Sequence, residues 1–188
     1  MRVLIVSQYF WPEIFPINGI AVGLKDRGHQ ITVLTGKPNY PSGRFYEGYG
    51  FFTKSREIHK DMTVVRAPLF PRGQAGGFRL VMNYFSFAFA ASLSAIVSCR
   101  DKYDVIFVYA PSPITVALPA LVLRRFRGVP IMLWVQDLWP ESVSAIGAVR
   151  SALPLRLIER MVKFIYKRSD RILVQSEAFR PSIEGLGV

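Results

Sequence analysis

Short apolar runs recur along the chain: RVLIVSQ from Arg2, QITVLTG from Gln30, MTVVRAP from Met62, YDVIFVYA from Tyr103, VPIMLWV from Val129 and DRILVQS from Asp170. Each is brief, rich in β-branched residues and apolar at odd and even positions alike, the pattern of a strand covered on both faces. Between them, apolar residues at three- and four-residue spacing predict helices over Ile17 to Arg27, Phe78 to Ser98, Ile114 to Arg127, Leu153 to Arg168 and Glu177 to Glu184. Strands alternating with helices imply right-handed crossovers, hence a Rossmann-like α/β fold: one parallel sheet with helices on both faces.

Several segments interrupt that regularity, and they carry the candidate chemistry. The strand PIMLWV runs straight into QDLWPES, which sets Asp137 and Glu141 just past a strand carboxyl end, where open parallel sheets form their ligand crevice. Pro140 and Glu141 suit the first turn of a helix, so a purely structural role accounts for them well, and for Asp137 less well. The turn after the first strand, SQYFWPEIFPINGIA, contains no G-x-G-x-x-G, which removes the dinucleotide fingerprint. Its Asn18–Gly19 pair reads either as an ordinary turn or as a positive-φ turn that presents amides to an anion.

The connection Gly36 to Phe52, GKPNYPSGRFYEGYGFF, follows no helical or strand period and is longer than compact domains usually tolerate without a binding role. Its rings, Tyr40, Phe45, Tyr46 and Tyr49, either stack on sugar or lipid or pack the loop onto the domain, and Lys37 and Arg44 are placed to meet phosphate. Between Arg79 and Arg100 lies an uncharged segment, LVMNYFSFAFAASLSAIVSC, long enough to span a bilayer. Asn83 and its serines, together with the strand series on either side, favour a helix with one face on the sheet and an apolar outer face. In LPLRLIERMVKFIYKR, Arg156, Arg160, Lys163 and Lys167 fall on one helical stripe opposite the apolar Leu155, Ile158, Met161, Val162 and Ile165. That stripe is a solvated face or a contact for an anionic membrane surface.

Composition sharpens this picture. The 188 residues are 51% hydrophobic, sufficient for one sizeable core, and the formal net charge is +11. Such a surface seeks anions; with no nucleic-acid motif in the chain, nucleic acid is set aside and acidic lipid or phosphorylated substrate remains. A lone cysteine, Cys99, and a chain that opens directly on a strand lead us to expect a cytoplasmic location. His29 sits in a turn away from strand carboxyl ends and reads as structural, and His59 has no partner nearby in sequence.

Taken in order, YFWPEIFPING, RGHQITVLTGKPNYPSG, YAPSPITVALPAL, VQDLWPES and SDRILVQSEAFRPSIEGLGV resemble the retaining glycosyltransferases of family four, and within them the O-antigen and capsule branch with its N-acetyl-L-fucosamine transferases. The resemblance implies a two-domain GT-B enzyme of which residues 1–188 form the amino-terminal, acceptor-binding half. The nucleotide-sugar half, with its Glu, seven residues and a second Glu, has no counterpart here, so a truncated or separately made half, inactive alone, is expected. The resemblance further implies Asp137 and Glu141 as catalytic, Asn18, Gly19, Asn39, Tyr40 and Ser112 as substrate-binding, and neither metal nor other cofactor. Its partners would be a nucleotide sugar and a polyprenyl-diphosphate-linked saccharide, met at the inner face of the plasma membrane. Two departures bear on this: Gln136 stands where many relatives have Arg, and the first loop offers Gly19 rather than a glycine pair. Two other readings stand beside it: a non-catalytic subunit that docks a separate donor-binding chain at the membrane, and a hydrolase using Asp137 and Glu141, which their spacing supports little.

Overall fold

The computed structural model describes residues 1–73, 77–139 and 152–188. Among these, the strands β1 (Arg2–Val6), β2 (Gln30–Gly36), β3 (Arg56–His59), β4 (Met62–Ala67), β5 (Val105–Ala110), β6 (Ile131–Val135) and β7 (Arg171–Val174) form one sheet in the order β3-β4-β2-β1-β5-β6-β7. All neighbours are parallel except β3, which pairs antiparallel with β4. The helices are α1 (Pro16–Asp26), α2 (Gly77–Ser98), α3 (Leu118–Arg127), α4 (Ala152–Lys167) and α5 (Arg180–Gly185), with 3-10 turns at Ile114–Ala117 and Glu177–Phe179. The Rossmann-like expectation therefore holds, with one correction: the sheet is mixed. β3, REIH, has no apolar run to announce it. It is drawn onto the edge by a hairpin whose central residues, Lys60 and Asp61, both take positive φ, 47° and 58°.

Alternation along each central strand feeds two cores. Leu4 and Val6 join Leu34, Val108 and Leu133 on one face, beneath Phe87 and Ala91 of α2, Leu123 of α3 and Val162 and Ile165 of α4. Val3 and Ile5 join Ile31, Val33 and Val64 on the other, against Ile17 and Ala21 of α1. A fully buried Val, Leu or Ile stabilises by about 1.5–3 kcal/mol, so the sheet's position is set chiefly by these rows. α3 stops at Gly128, whose φ of 68° closes the helix with its amide 2.8 Å from the Arg124 carbonyl.

α2 is long and apolar enough to cross a membrane, with mean hydropathy 1.7. Its Asn83, Phe87, Ala88, Ala91 and Ala95 are nevertheless buried in the domain, the alanines giving a flat face against its neighbours. Phe78, Phe85, Phe89, Leu93 and Val97 point outward and are exposed, the apolar outer face expected for this segment.

Candidate active site

Because β1, β2, β4, β5 and β6 are parallel, the loops after them gather at one edge of the sheet. Glu13, in the loop between β1 and α1, fastens that edge. It is buried, and its carboxylate accepts hydrogen bonds from the backbone amides of Tyr40 (2.7 Å), Asn39 (2.8 Å) and Phe10 (3.3 Å). Burial raises its pKa to about 7 against the opposing pull of those amides and of Arg66. The first loop is thereby tied to the long loop that follows β2.

A side-chain network continues from Asn39. Its Nδ2 donates to the Lys37 carbonyl, and its Oδ1 accepts from the Arg72 amide at 3.1 Å. Asn83, buried on α2, accepts from Gln8 Nε2 at 2.7 Å and donates to the Phe70 carbonyl at 2.6 Å. This explains the one strongly polar residue on the inner face of α2: it ties the helix to the loops that follow β1 and β4.

Arg72 emerges from the network half-buried. Its Nη1 donates to the Tyr9 hydroxyl at 3.1 Å, and the guanidinium lies 5.1 Å from the Tyr40 ring centroid. Tyr9 in turn stacks on Phe15 with centroids 4.8 Å apart, and Tyr40 leans on both rings. Tyr84, one residue beyond Asn83, has Ser112 and Tyr9 as hydrogen-bonding neighbours and feels the charge of Asp137. Burial raises the pKa of Tyr84; Arg72 and the two hydroxyl neighbours oppose this, and Asp137 adds to it. Burial likewise raises Tyr9, with Tyr84 and Glu13 adding and Arg72 opposing. Among the described residues the edge thus presents the Arg72 cation, the protonated phenols of Tyr9 and Tyr84, the Ser112 hydroxyl and the Asp137 carboxylate, a set able to orient a polyhydroxylated ligand and accept a hydrogen bond from one of its hydroxyls.

Of the residues singled out from sequence, Asn39, Tyr40, Ser112 and Asp137 come together at this edge. Asn18 is nearby, but its side chain is spent on the loop, accepting from the Trp11 amide at 3.1 Å and donating to the Glu13 carbonyl at 2.7 Å. Gly19 corrects an expectation. The Asn18–Gly19 pair lies inside α1 behind Pro16, without positive φ, and forms no turn of exposed amides. Lys37 is a second correction, since it is buried with its ammonium donating to the Thr53 carbonyl rather than facing outward to phosphate. Burial, reinforced by Arg66, lowers its pKa to about 8.

The long loop packs on itself: Tyr46 donates from its hydroxyl to the Tyr40 carbonyl, and Tyr49 lies against the buried Arg66 guanidinium, which Glu57 and the carbonyls of Gly36 and Trp11 hold. Tyr40 remains the ring of this loop that faces the site. Glu141 lies outside the described residues. Arg156, Arg160, Lys163 and Lys167 share an exposed face of α4. His59, in β3, stacks on Trp11 at 4.0 Å, and His29 meets the amino terminus. Among the described residues no cluster of three or more His, Cys, Asp or Glu is arranged for a metal ion.

Sequence reasoning missed Tyr9, Glu13, Arg72 and Tyr84. Glu13 had a visible signal, an acid inside the apolar stretch YFWPEIF. Tyr84 had none, because in an apolar helix a ring reads as packing.

Comparison with known proteins agrees with this architecture. The chain is 25% identical over 151 residues to the assigned colanic acid biosynthesis glycosyl transferase WcaI of Escherichia coli (strain K12), a match covering 78% of this chain and 37% of that protein. The chain therefore spans little more than a third of that relative. Among solved structures, sucrose-phosphate synthase from Thermosynechococcus elongatus superposes with a TM-score of 0.64 at 13% identity, covering 96% of this chain and 44% of the other; a second structure of that protein gives 0.59 at 11% identity. These likenesses concern the fold. The Glycosyl transferase 4-like domain family matches residues 17–188, nearly the whole chain, and the chain belongs to that family.

Proposed function

We propose that this chain is the acceptor-binding half of a retaining glycosyltransferase of the GT-B type, which moves a sugar from a nucleotide sugar to a polyprenyl-diphosphate-linked saccharide in surface polysaccharide assembly. The observation that carries the reading is the convergence of Asp137, Ser112, Tyr84, Tyr9 and Arg72 at the carboxyl edge of the sheet. In this role Tyr40 and Phe15 give the acceptor sugar an apolar wall, and Arg72 holds its negative substituents. Asp137 accepts the hydrogen bond of the attacking hydroxyl and stabilises positive charge growing at the sugar carbon. A second domain supplies the nucleotide-sugar site, and the exposed basic stripe of α4 attracts the enzyme to an anionic membrane where its acceptor resides.

The test is Asp137→Asn in the full-length polypeptide that carries this half. Loss of a positioned acid–base group predicts a fall in turnover of roughly a hundredfold or more with unchanged melting. Near-normal turnover would remove Asp137 from the chemistry.

A further inference from the structure

On the face of the domain away from α1, the helices α2, α3 and α4 leave an open groove of about 940 Å³. Phe85 and Phe89 of α2, Leu121 and Phe126 of α3 and Phe164 of α4 line it. Four of these rings are strongly exposed: Phe89 is 70% accessible, Phe126 68%, Phe85 55% and Phe164 44%. Such a concentration of exposed rings marks a contact surface rather than ordinary scatter. The groove carries arginines at one end. Arg124 is occupied, donating to the Arg168 carbonyl and paired with Asp170. Arg125 is exposed and has no ion-pair partner among the described residues. Arg168 sets its guanidinium 3.9 Å from the Phe164 ring centroid, a cation held over the apolar floor with no ion-pair partner among the described residues.

We propose that this groove seats an anionic phospholipid of the bilayer, with acyl chain along the phenylalanines and phosphate against Arg125 and Arg168. The proposal deepens the membrane contact of the proposed function and rests on that reading only for the presence of a membrane. Charge selects the occupant. A second copy of this chain would bring another +11 to a cationic rim, and a soluble sugar phosphate would find along the floor, among the described residues, only the Ser92 hydroxyl, which already donates to the Ala88 carbonyl. A phospholipid satisfies both parts at once.

Two further features agree. Helical spacing on α4 sets the exposed Leu153, Leu157 and Phe164 on a line between the buried Val162 and Ile165 and the basic stripe Arg156, Arg160, Lys163 and Lys167, so apolar and cationic surfaces adjoin. The arginine end also lies at the amino edge of the sheet, because Asp170, the partner of Arg124, accepts from the Ile131 amide at the start of β6. A lipid held there anchors the domain without entering the candidate active site on the opposite edge.

The experiment is flotation of the purified chain with phosphatidylcholine vesicles, with and without phosphatidylglycerol, at low and high salt. Binding to the anionic vesicles is expected, with a part that survives high salt. Replacing Phe89 and Phe164 together by Ser should weaken binding about tenfold or more at both salt levels, since each ring forfeits apolar burial. Replacing Arg125 and Arg168 by Gln should weaken it severalfold at low salt and less at high salt. These side chains are exposed, and circular dichroism melting checks the fold; Phe126→Ser on the rim serves as a second ring variant. Equal binding by parent and ring variants, equal binding to vesicles lacking phosphatidylglycerol, or lipid-free self-association lost with the rings would each overturn the proposal. Because no sugar transfer is read, such a result would leave the acceptor assignment standing. Loss of binding in a stripe variant with the ring variants unaffected would retain electrostatic attraction and discard the groove.

Discussion

Glu13 offers a prediction whose magnitude follows from geometry. Its buried carboxylate is the shared acceptor for the amides of Phe10, Asn39 and Tyr40, so Glu13→Ala leaves those amides without it. An unsatisfied buried donor costs roughly 1–3 kcal/mol, and with some rescue by entering water the variant should lose about 4 kcal/mol, a large part of the stability of a single domain. Glu13→Gln isolates the charge instead. With a folded pKa raised to about 7 against 4.5 for the free group, the folded state holds the proton between those values while the unfolded state has released it. Stability from this group is therefore fully present below the unfolded value and falls as pH rises through the folded one. The whole effect is about 3 kcal/mol at 1.36 kcal/mol per pH unit. Urea unfolding of parent and Gln variant across pH 4 to 8 should thus show their stability difference moving by about that amount in favour of Gln as pH rises. A difference flat across this range would refute the reasoning, as would an Ala variant within about 0.5 kcal/mol of the parent.

Further expectations follow from other positions. Asn83→Leu removes the acceptor of Gln8 Nε2 and the donor to the Phe70 carbonyl and should cost about 2–4 kcal/mol in denaturant unfolding, more than an exposed change on the same helix. Gly43→Ala places a methyl 2.0 Å from the Gly73 carbonyl oxygen at a φ of 74°; the expected loss is about 2 kcal/mol, or a Tm lower by about 4–8 °C in a thermal melt. Replacing Arg156, Arg160, Lys163 and Lys167 by Gln should weaken binding to anionic vesicles by about 1 kcal/mol per charge at low salt, a loss that shrinks as salt rises; equal binding would make the stripe a solvated face. In the full-length polypeptide, Tyr84→Phe should lower turnover about tenfold while leaving Tm within a few degrees, and unchanged turnover would return Tyr84 to packing.

Most of the sheet was legible because strands covered on both faces carry apolar residues at odd and even positions alike, as the runs VLIV in β1, VIFVYA in β5 and IMLWV in β6 do, with β2, β4 and the edge strand β7 mostly apolar as well. β3 was not, since REIH owes its place to pairing with β4 rather than to its own burial. The candidate site was legible only in part. Ser112 and Asp137 stand out as polar residues directly after strands β5 and β6, a position with functional meaning in this fold. Arg72 and Tyr9 come from loops with no period, and their meeting depends on how Glu13 and Asn39 tie the loops together. Lys37 illustrates the reverse case. A lysine after β2 looks like a phosphate ligand until the neighbouring Thr53 carbonyl is found beneath it.

The protonation states at the carboxyl edge divide the labour among its groups. With pKa values raised by burial, Tyr9 and Tyr84 keep their protons at neutral pH and act as hydrogen-bond donors, and Arg72 donates throughout. Glu13 is a carboxyl that titrates near neutrality, yet three backbone amides occupy it and its burial keeps it from a ligand. Ser112 can accept, but a hydroxyl is a weak base. On the proposed reading, Asp137 is then the described side chain of this edge that receives a hydrogen bond from an incoming hydroxyl, and its charge acts on Tyr84 across the same space. If that reading holds, the Asp137 carboxylate facing these donors would hold an alcohol by its proton and its neighbouring oxygens at once, the arrangement that the proposed selection of one sugar hydroxyl requires.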